Sequence, residues 1–123
     1  MPANYRELDV WQKSMRLVAE IYRLFDSMPN CEKYALVDQM RRAAISVPSN
    51  IAEGQGRGTD KERLRFLYIA RGSLCELQTQ LDLCAMLNYF TADTLKDINL
   101  LTVDVSKMLN GFIKKIIADA GKG

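Results

Sequence analysis

The feature of this sequence that most constrains its fold is one long apolar row near the middle of the chain. Apolar residues recur there at alternating intervals of three and four, at Leu67, Ala70, Leu74, Leu77, Leu81 and Cys84. This spacing places side chains on one face of an α-helix. The segment from about residue 60 to 87 is therefore predicted to be an amphipathic helix that packs its apolar face into a core.

Residues that begin and end helices flank this row. Thr59 and Glu62 have the spacing of a capping box, in which two side chains bind free amides of the first helical turn. Asn88 suits the left-handed conformation that often ends a helix, and Thr91 can cap a following helix. These residues predict a short connection between two helices.

The same periodicity occurs in a segment on each side. From about residue 8 to 28, two neighbouring rows form a wide apolar face: Trp11, Met15, Val18, Tyr22 and Phe25 in one, and Leu17, Ile21, Leu24 and Met28 in the other. From about residue 92 to 118 the apolar row is Ile98, Leu101, Val105, Met108, Phe112 and Ile116. Both segments are typical of helices in a bundle.

A further helix is predicted from about residue 33 to 53, although Pro48 lies inside it. Its apolar row continues across the proline without a change of phase, at Leu36, Met40, Ala43, Val47 and Ile51. This favours one helix kinked at Pro48, where the ring crowds the preceding turn. The alternative is a break, with Pro48 opening a new helix.

The glycines suggest local features of these helices. Gly54, Gly56 and Gly58 are expected to form a flexible exit from the second helix. Gly72 and Ser73 lie in the middle of the third helix, where glycine costs about 1 kcal/mol relative to alanine. We therefore expect another helix to approach closely at Gly72 and Ser73.

Four amphipathic segments with short connections predict an all-α fold, an up-down-up-down antiparallel four-helix bundle. The chain has 123 residues, which suits one domain, so residues 1–123 are predicted to form a single bundle. No segment shows the alternation of a β-strand.

The composition excludes several kinds of site. The chain has no histidine, which rules out Ser-His-Asp and Cys-His pairs and zinc sites that contain histidine. Its three cysteines, Cys31, Cys75 and Cys84, lack C-x-x-C spacing, and we read Cys84 as a core residue. The glycines of EGQGRG lack the Lys-Ser/Thr of a phosphate loop. We expect no enzymatic activity, no cofactor and no metal.

The sequence also predicts the cellular compartment of the protein. Its first residues lack the apolar core of a signal peptide, and no apolar run approaches the ~20 residues that span a bilayer. An odd number of cysteines fits a reducing compartment. We expect a cytoplasmic protein without a membrane partner.

Polar residues follow the second helix at intervals of three and four, and we call them the polar stripe: Gln39, Arg42, Ser46, Asn50, Glu53 and Arg57. Small polar groups such as Ser46 and Asn50 solubilise a helix less well than Lys and Glu. The stripe therefore favours a face that is hydrogen-bonded against a partner. The alternative is an ordinary exposed face.

Basic residues are concentrated between Gln39 and Arg71. Seven occur there: Arg41, Arg42, Arg57, Lys61, Arg63, Arg65 and Arg71. They face three acidic residues, Glu53, Asp60 and Glu62, so the local excess is 7 − 3 = +4 on a chain whose net charge is +2. Such asymmetry suggests a polyanionic partner, and the alternative is an ordinary solvated surface.

Three motifs resemble a known family. LDVWQKSMRLVAEIY, QMRRAAISVPSNIAEGQGR and FLYIARGSLCELQTQLDL closely resemble the four-helix bundle proteins encoded within intervening sequences of bacterial 23S ribosomal RNA genes. The likeness runs from about Leu8 to Tyr89, and the fourth helix matches only in character. It implies a ring, typically a homopentamer, and a relation to the accessory variability proteins of retroelements, which bind nucleic acid and a reverse transcriptase.

These observations lead to two functional hypotheses. The first is a non-enzymatic oligomeric adaptor that binds RNA or DNA, and the second is a protein-interaction scaffold such as a reverse-transcriptase accessory subunit. The predicted nucleic-acid-binding residues are Arg41, Arg42, Arg57, Lys61 and Arg65. The predicted subunit-interface residues are Gln39, Ser46, Asn50, Glu53, Ser73 and Glu76.

Overall fold

The computed structural model describes residues 4–121, and within them the chain is helical without a strand. Four α-helices follow one another: α1 (Asp9–Phe25), α2 (Leu36–Gln55), α3 (Asp60–Met86) and α4 (Ala92–Gly121). Two short 3-10 helices, Tyr5–Glu7 and Asn30–Glu32, precede α1 and α2. The predicted all-α class is confirmed.

The helix ends differ from the predicted ones by up to three residues. α1 ends at Phe25 because the amides of Ser27 and Met28 bind carbonyls three residues back, in turns that tighten the chain. α2 begins at Leu36, because Asn30–Glu32 forms its own turn and Ala35 has φ −119° and ψ −99°, outside the helical region. α2 and α4 extend further than predicted, to Gln55 and Gly121.

Pro48 lies inside α2, which is one continuous helix. The alternative of a helix that ends before the proline is not observed. Pro48 is buried, and it lines the side of α2 that faces α1. A kink at this position stays a prediction.

The four helices pack in a closed cycle. Each packs against the next along the chain and α4 packs against α1, whereas within residues 4–121 no diagonal pair of α-helices brings Cα atoms within 8 Å of each other. α2 and α3 are antiparallel, because Met40 contacts Cys84 and Ser46 contacts Ser73, while Gly54 lies beside Phe66. The up-and-down course of the whole bundle stays a prediction.

The core contains the complete predicted row of α3, from Leu67 to Cys84. In α1 only the row of Leu17, Ile21 and Leu24 is buried, whereas Met15 and Tyr22 of the other row are exposed. In α4 Leu109 and Ile113 are buried, while Met108 and Phe112 are only partly buried. A seven-residue repeat drifts by about 20° per heptad on a straight helix, so the buried row moves to neighbouring positions along α4.

Thr59, Asn88 and Thr91 lie at helix ends, as predicted. Thr59 Oγ1 accepts a hydrogen bond of 3.2 Å from the Glu62 amide, although the Glu62 carboxylate binds Arg65 instead of completing the box. Asn88 has φ 60°, and the Tyr89 amide donates to the Cys84 carbonyl at 2.9 Å, which closes α3 in a Schellman motif. Thr91 Oγ1 accepts from the Thr94 amide at 3.1 Å.

Each glycine prediction was wrong at one residue: Gly54 for the exit from α2, which Gly56 and Gly58 do form, and Gly72 for the close approach. Gly54 is not part of a flexible exit, because it is buried within α2. A Cβ at Gly54 would lie 3.2 Å from the Arg63 carbonyl oxygen and 3.2 Å from Phe66 Cβ, so its absence lets α3 approach. Gly72 lies in open space on the exposed side of α3, and the close contact at this level is made by Ser73.

Tyr89 joins the two loops at one end of the bundle. Its hydroxyl donates a hydrogen bond of 2.7 Å to Glu32 Oε2, which connects the residues after α3 to the turn before α2. This bond, together with burial and the negative charge of Glu32, raises the pKa of Tyr89 from 10.0 to about 12. Nearby, burial raises the pKa of the Cys84 thiol, whose Sγ lies 3.8 Å from Met40 Sδ.

The Tyr89–Glu32 bond predicts a change in stability at alkaline pH. The folded state holds the Tyr89 proton more tightly than the unfolded chain, so its contribution is complete below pH 10 and is lost between pH 10 and 12. In a pH titration of the phenolate absorbance of the five tyrosines, we expect one of them to ionise at higher pH than the others. Tyr89→Phe should remove this ionisation, and Glu32→Gln should move it to lower pH. A late ionisation that persists in Tyr89→Phe would contradict this assignment.

Candidate functional site

The centre of the polar stripe is a hydrogen-bonded contact between α2 and α3. The hydroxyls of Ser46 and Ser73 lie 2.7 Å apart. Asn50 Nδ2 donates to the Ser46 carbonyl at 2.8 Å and to Ser46 Oγ at 2.9 Å. All three residues are partly buried, so the small polar groups of the stripe satisfy one another inside the chain.

The other predicted interface residues lie outside this contact. Gln39, Glu53 and Glu76 are exposed, and Glu53 binds Arg57 one helical turn away. The structure therefore brings together three of the six residues assigned to a subunit interface, and it does so within one chain. The interface role of the six residues stays a prediction.

Gln80 is a buried polar residue of α3 that was not predicted from the sequence. It lies two helical turns after Ser73, on the same side of α3, and only 9% of it is exposed. Its Oε1 atom is buried without a hydrogen-bond partner in residues 4–121. The sequence did contain a signal for its burial, because Gln80 lies seven residues after Ser73 and directly before Leu81 of the apolar row.

The predicted basic residues fall into two groups. Arg41 and Arg42 lie in the first half of α2, and both bind Asp38, at 3.3 and 3.2 Å. Asp38 directly precedes the segment from Gln39 to Arg71, and with Asp38 included the local excess of positive charge is 7 − 4 = +3. The second group lies at the α2–α3 turn, beyond the end of α2, which is about 20 Å from Arg42 at 1.5 Å per residue.

We define the turn cluster as Arg57, Lys61, Arg65 and Phe66. The guanidinium carbons of Arg57 and Arg65 lie 4.7 and 4.5 Å from the centre of the Phe66 ring. At this distance a guanidinium is attracted to the negative face of the ring. Gly54 contributes to the position of Phe66, because the missing side chain lets Phe66 Cβ approach α2. The tertiary fold therefore assembles three of the five predicted nucleic-acid-binding residues.

Carboxylates accompany these basic residues. Arg57 binds Glu53, and Arg65 Nε donates to Glu62 Oε2 at 2.9 Å. The hydrogen bond from Arg65 is the main reason that the pKa of Glu62 is lowered, with smaller effects of Arg57 and Lys61. Exposed ion pairs of this kind contribute only about 0–1 kcal/mol, so a phosphate can replace them at low cost.

An apolar cleft of about 360 Å³ lies between α1 and α2. Its wall contains the exposed residues Met15 and Ile45 together with Pro48 and Trp11. Arg41 borders this side of the molecule, 5.5 Å from the centre of the Phe25 ring. Apolar clefts on a surface commonly mark sites of protein contact.

A second cleft, of about 400 Å³, lies between α1 and α4 and is charged. Lys13 and Arg16 of α1 face Asp97 and Asp104 of α4, and Lys13 binds Asp104 at 3.5 Å. Within residues 4–121 no group of three or more His, Cys, Asp or Glu side chains is placed to hold a metal ion. No helix in the same range is long and apolar enough to cross a membrane.

Comparison with known proteins identifies the family. The model of the family described as 23S rRNA-intervening sequence protein matches residues 6–111, which cover α1 to α3 and most of α4. The chain belongs to this family. The resemblance seen in three sequence motifs is thus confirmed, and it extends further into the fourth helix than those motifs reached.

A solved structure supports the fold of this family member. It is a protein of unknown function from the S23 ribosomal protein family of Bacteroides thetaiotaomicron VPI-5482, with a TM-score of 0.79 and 25% sequence identity. The alignment covers 85% of the present chain and 98% of the other. No curated protein sequence matches the chain significantly.

Proposed function

We propose that this chain is a non-enzymatic, oligomeric adaptor that binds nucleic acid through basic residues of α2 and α3. The observation that carries the proposal is the turn cluster, in which the guanidinium groups of Arg57 and Arg65 lie over the Phe66 ring and exposed Lys61 precedes Arg65 by one helical turn. Lys61 has no ion-pair partner within residues 4–121, and the two arginines have partners that a phosphate can replace. Contacts to phosphates supply most of the affinity of such proteins.

Assembly of several copies strengthens this proposal. One turn cluster is a small site, but a ring presents it several times, and linked sites bind a long polyanion far more tightly than one site does. Arg41 and Arg42 form a second, smaller group in the first half of α2. The subunit contacts proposed for Gln39, Glu53 and Glu76 involve side chains that are exposed in the single chain.

The test is a fluorescence-anisotropy titration against a structured RNA and a DNA duplex at two salt concentrations. We expect Arg57→Gln/Lys61→Gln/Arg65→Gln to weaken binding at least about tenfold and to reduce the slope of affinity against salt by about 2–3, one unit for each lost phosphate contact. The matched control, Lys96→Gln/Lys107→Gln/Lys114→Gln on α4, removes the same charge from exposed positions. Equal losses in both variants would mean that only net charge matters.

The second candidate is a protein-interaction scaffold, favoured by the apolar cleft between α1 and α2. A scaffold does not require the basic residues to meet phosphates, and each of Arg41, Arg42, Arg57 and Arg65 is paired with a carboxylate. The same titration distinguishes the scaffold from the nucleic-acid-binding adaptor. Absence of binding at low salt, from a protein whose light-scattering mass shows an oligomer, would favour the scaffold and reject the adaptor.

A further inference from the structure

The two guanidinium groups of the turn cluster are held in a particular way. Each is bound along one edge by a carboxylate, Arg57 through Nη2 to Glu53 and Arg65 through Nε to Glu62. Each also lies within 5 Å of the centre of the Phe66 ring. Two such restraints reduce the conformational freedom that these side chains lose when a ligand binds. The cluster is therefore partly organised before binding.

This arrangement favours contact through the faces of the guanidinium groups. Glu62 occupies the Nε edge of Arg65, so a phosphate that binds this edge has to displace the carboxylate, whereas a flat group that stacks on the face of the guanidinium does not. The side chains nevertheless remain 43% exposed for Arg57 and 57% exposed for Arg65. A planar cation with one side on a ring and another side in water is a platform for a second flat group.

The surroundings of the platform are open. Gly56 and Gly58 flank Arg57, and both are exposed. A Cβ at Gly58 would meet no atom within 4 Å, so this part of the turn leaves room for a ligand beside Arg57. Lys61, also exposed, adds a cation that can contact a neighbouring phosphate.

We infer that the turn cluster binds an unpaired nucleotide, whose base stacks on the guanidinium of Arg57 or Arg65 while Lys61 contacts the adjoining phosphate. The inference rests on the proposed nucleic-acid-binding function and specifies which nucleic acid the site prefers. In a duplex the base faces are covered by neighbouring pairs, whereas in single strands and loops they are free to stack on aromatic rings and arginine planes. Every base has such a face, so the site discriminates strandedness rather than sequence.

The experiment distinguishes contacts to bases from contacts to phosphates. A labelled pyrimidine single strand and an abasic strand of the same length carry the same phosphates, and only the first carries bases. At low salt we expect the wild-type protein to bind the strand with bases about tenfold more tightly, because one stacked base contributes this much. In Arg57→Lys/Arg65→Lys, which keeps the charge and removes the flat groups, the ratio should fall to within about twofold.

The matched control replaces two other arginines that contact aromatic rings outside the turn cluster. Arg6 and Arg71 also lie over aromatic rings, at 4.6 Å from Tyr5 and 4.9 Å from Tyr68. Arg6→Lys/Arg71→Lys should keep the tenfold ratio. Equal binding of the two strands by the wild-type protein would overturn the inference and leave the adaptor intact, whereas absence of binding to either strand and to duplex would overturn both.

Discussion

Replacement of Leu77 by alanine is expected to lower the free energy of unfolding by about 2–5 kcal/mol. Leu77 is 0% exposed and lies in the middle of α3, which packs between α2 and α4. The change removes buried methyl groups and leaves a cavity that the surrounding side chains fill only in part. Urea denaturation followed by circular dichroism, at a fixed protein concentration because assembly adds stability, measures the loss.

The control for this change is Leu83→Ala on the same helix. Leu83 is 40% exposed and lies on the outer side of α3, so the same chemical change should cost less than about 1 kcal/mol in the single chain. A large loss at Leu83 that disappears on dilution would place this residue in a contact between copies. Equal losses at both positions that are independent of concentration would contradict the burial of the α3 row.

The fold could be predicted from the sequence because its strongest signals are local. The heptad row of α3 and the residues at Thr59, Asn88 and Thr91 act within a few residues of one another, and each is found in the structure. The two apolar rows of α1 were ambiguous for the opposite reason. Periodicity shows that Met15 and Leu17 lie on adjacent faces, but only the neighbouring helices decide that Leu17 is buried and Met15 exposed.

The candidate site was less predictable because it depends on contacts across helices. The pairing of Arg41 and Arg42 with Asp38 is local, because intervals of three and four residues place these side chains next to each other on α2, so the sequence alone indicates it. The contact of the Arg57 guanidinium with the Phe66 ring could not be read in this way, since it joins the turn after α2 to the first half of α3. The bond between Ser46 and Ser73 likewise spans 27 residues.

The dependence on contacts across helices also explains why Gly54 and Gly72 were assigned wrongly from the sequence. A sequence shows that glycine is costly inside a helix, but it does not show what lies beside the missing side chain. Gly72 looked like the point of close approach because it lies mid-helix, whereas Gly54 lay among other glycines and looked like a loop. The structure reverses these assignments, since the α3 backbone faces Gly54 and open space faces Gly72.

Replacement of Gly54 by alanine is therefore expected to destabilise the protein by about 1–2 kcal/mol. The new Cβ would lie 3.2 Å from both the Arg63 carbonyl oxygen and Phe66 Cβ, which is closer than ordinary contact. Relieving this crowding moves α3 away from α2, and such overpacking typically costs about 1–3 kcal/mol. The better helix propensity of alanine returns up to about 1 kcal/mol of that cost.

The matched control, Gly72→Ala, makes the same chemical change where no atom lies within 4 Å of the new Cβ. Only the helix propensity then acts, so the free energy of unfolding should rise by about 0.5–1 kcal/mol. Denaturation midpoints at equal protein concentration compare the two variants. Opposite signs would show that the contact at Gly54 holds α2 and α3 together, whereas a gain in both variants would mean that α3 yields at Arg63 and that the approach is not tight.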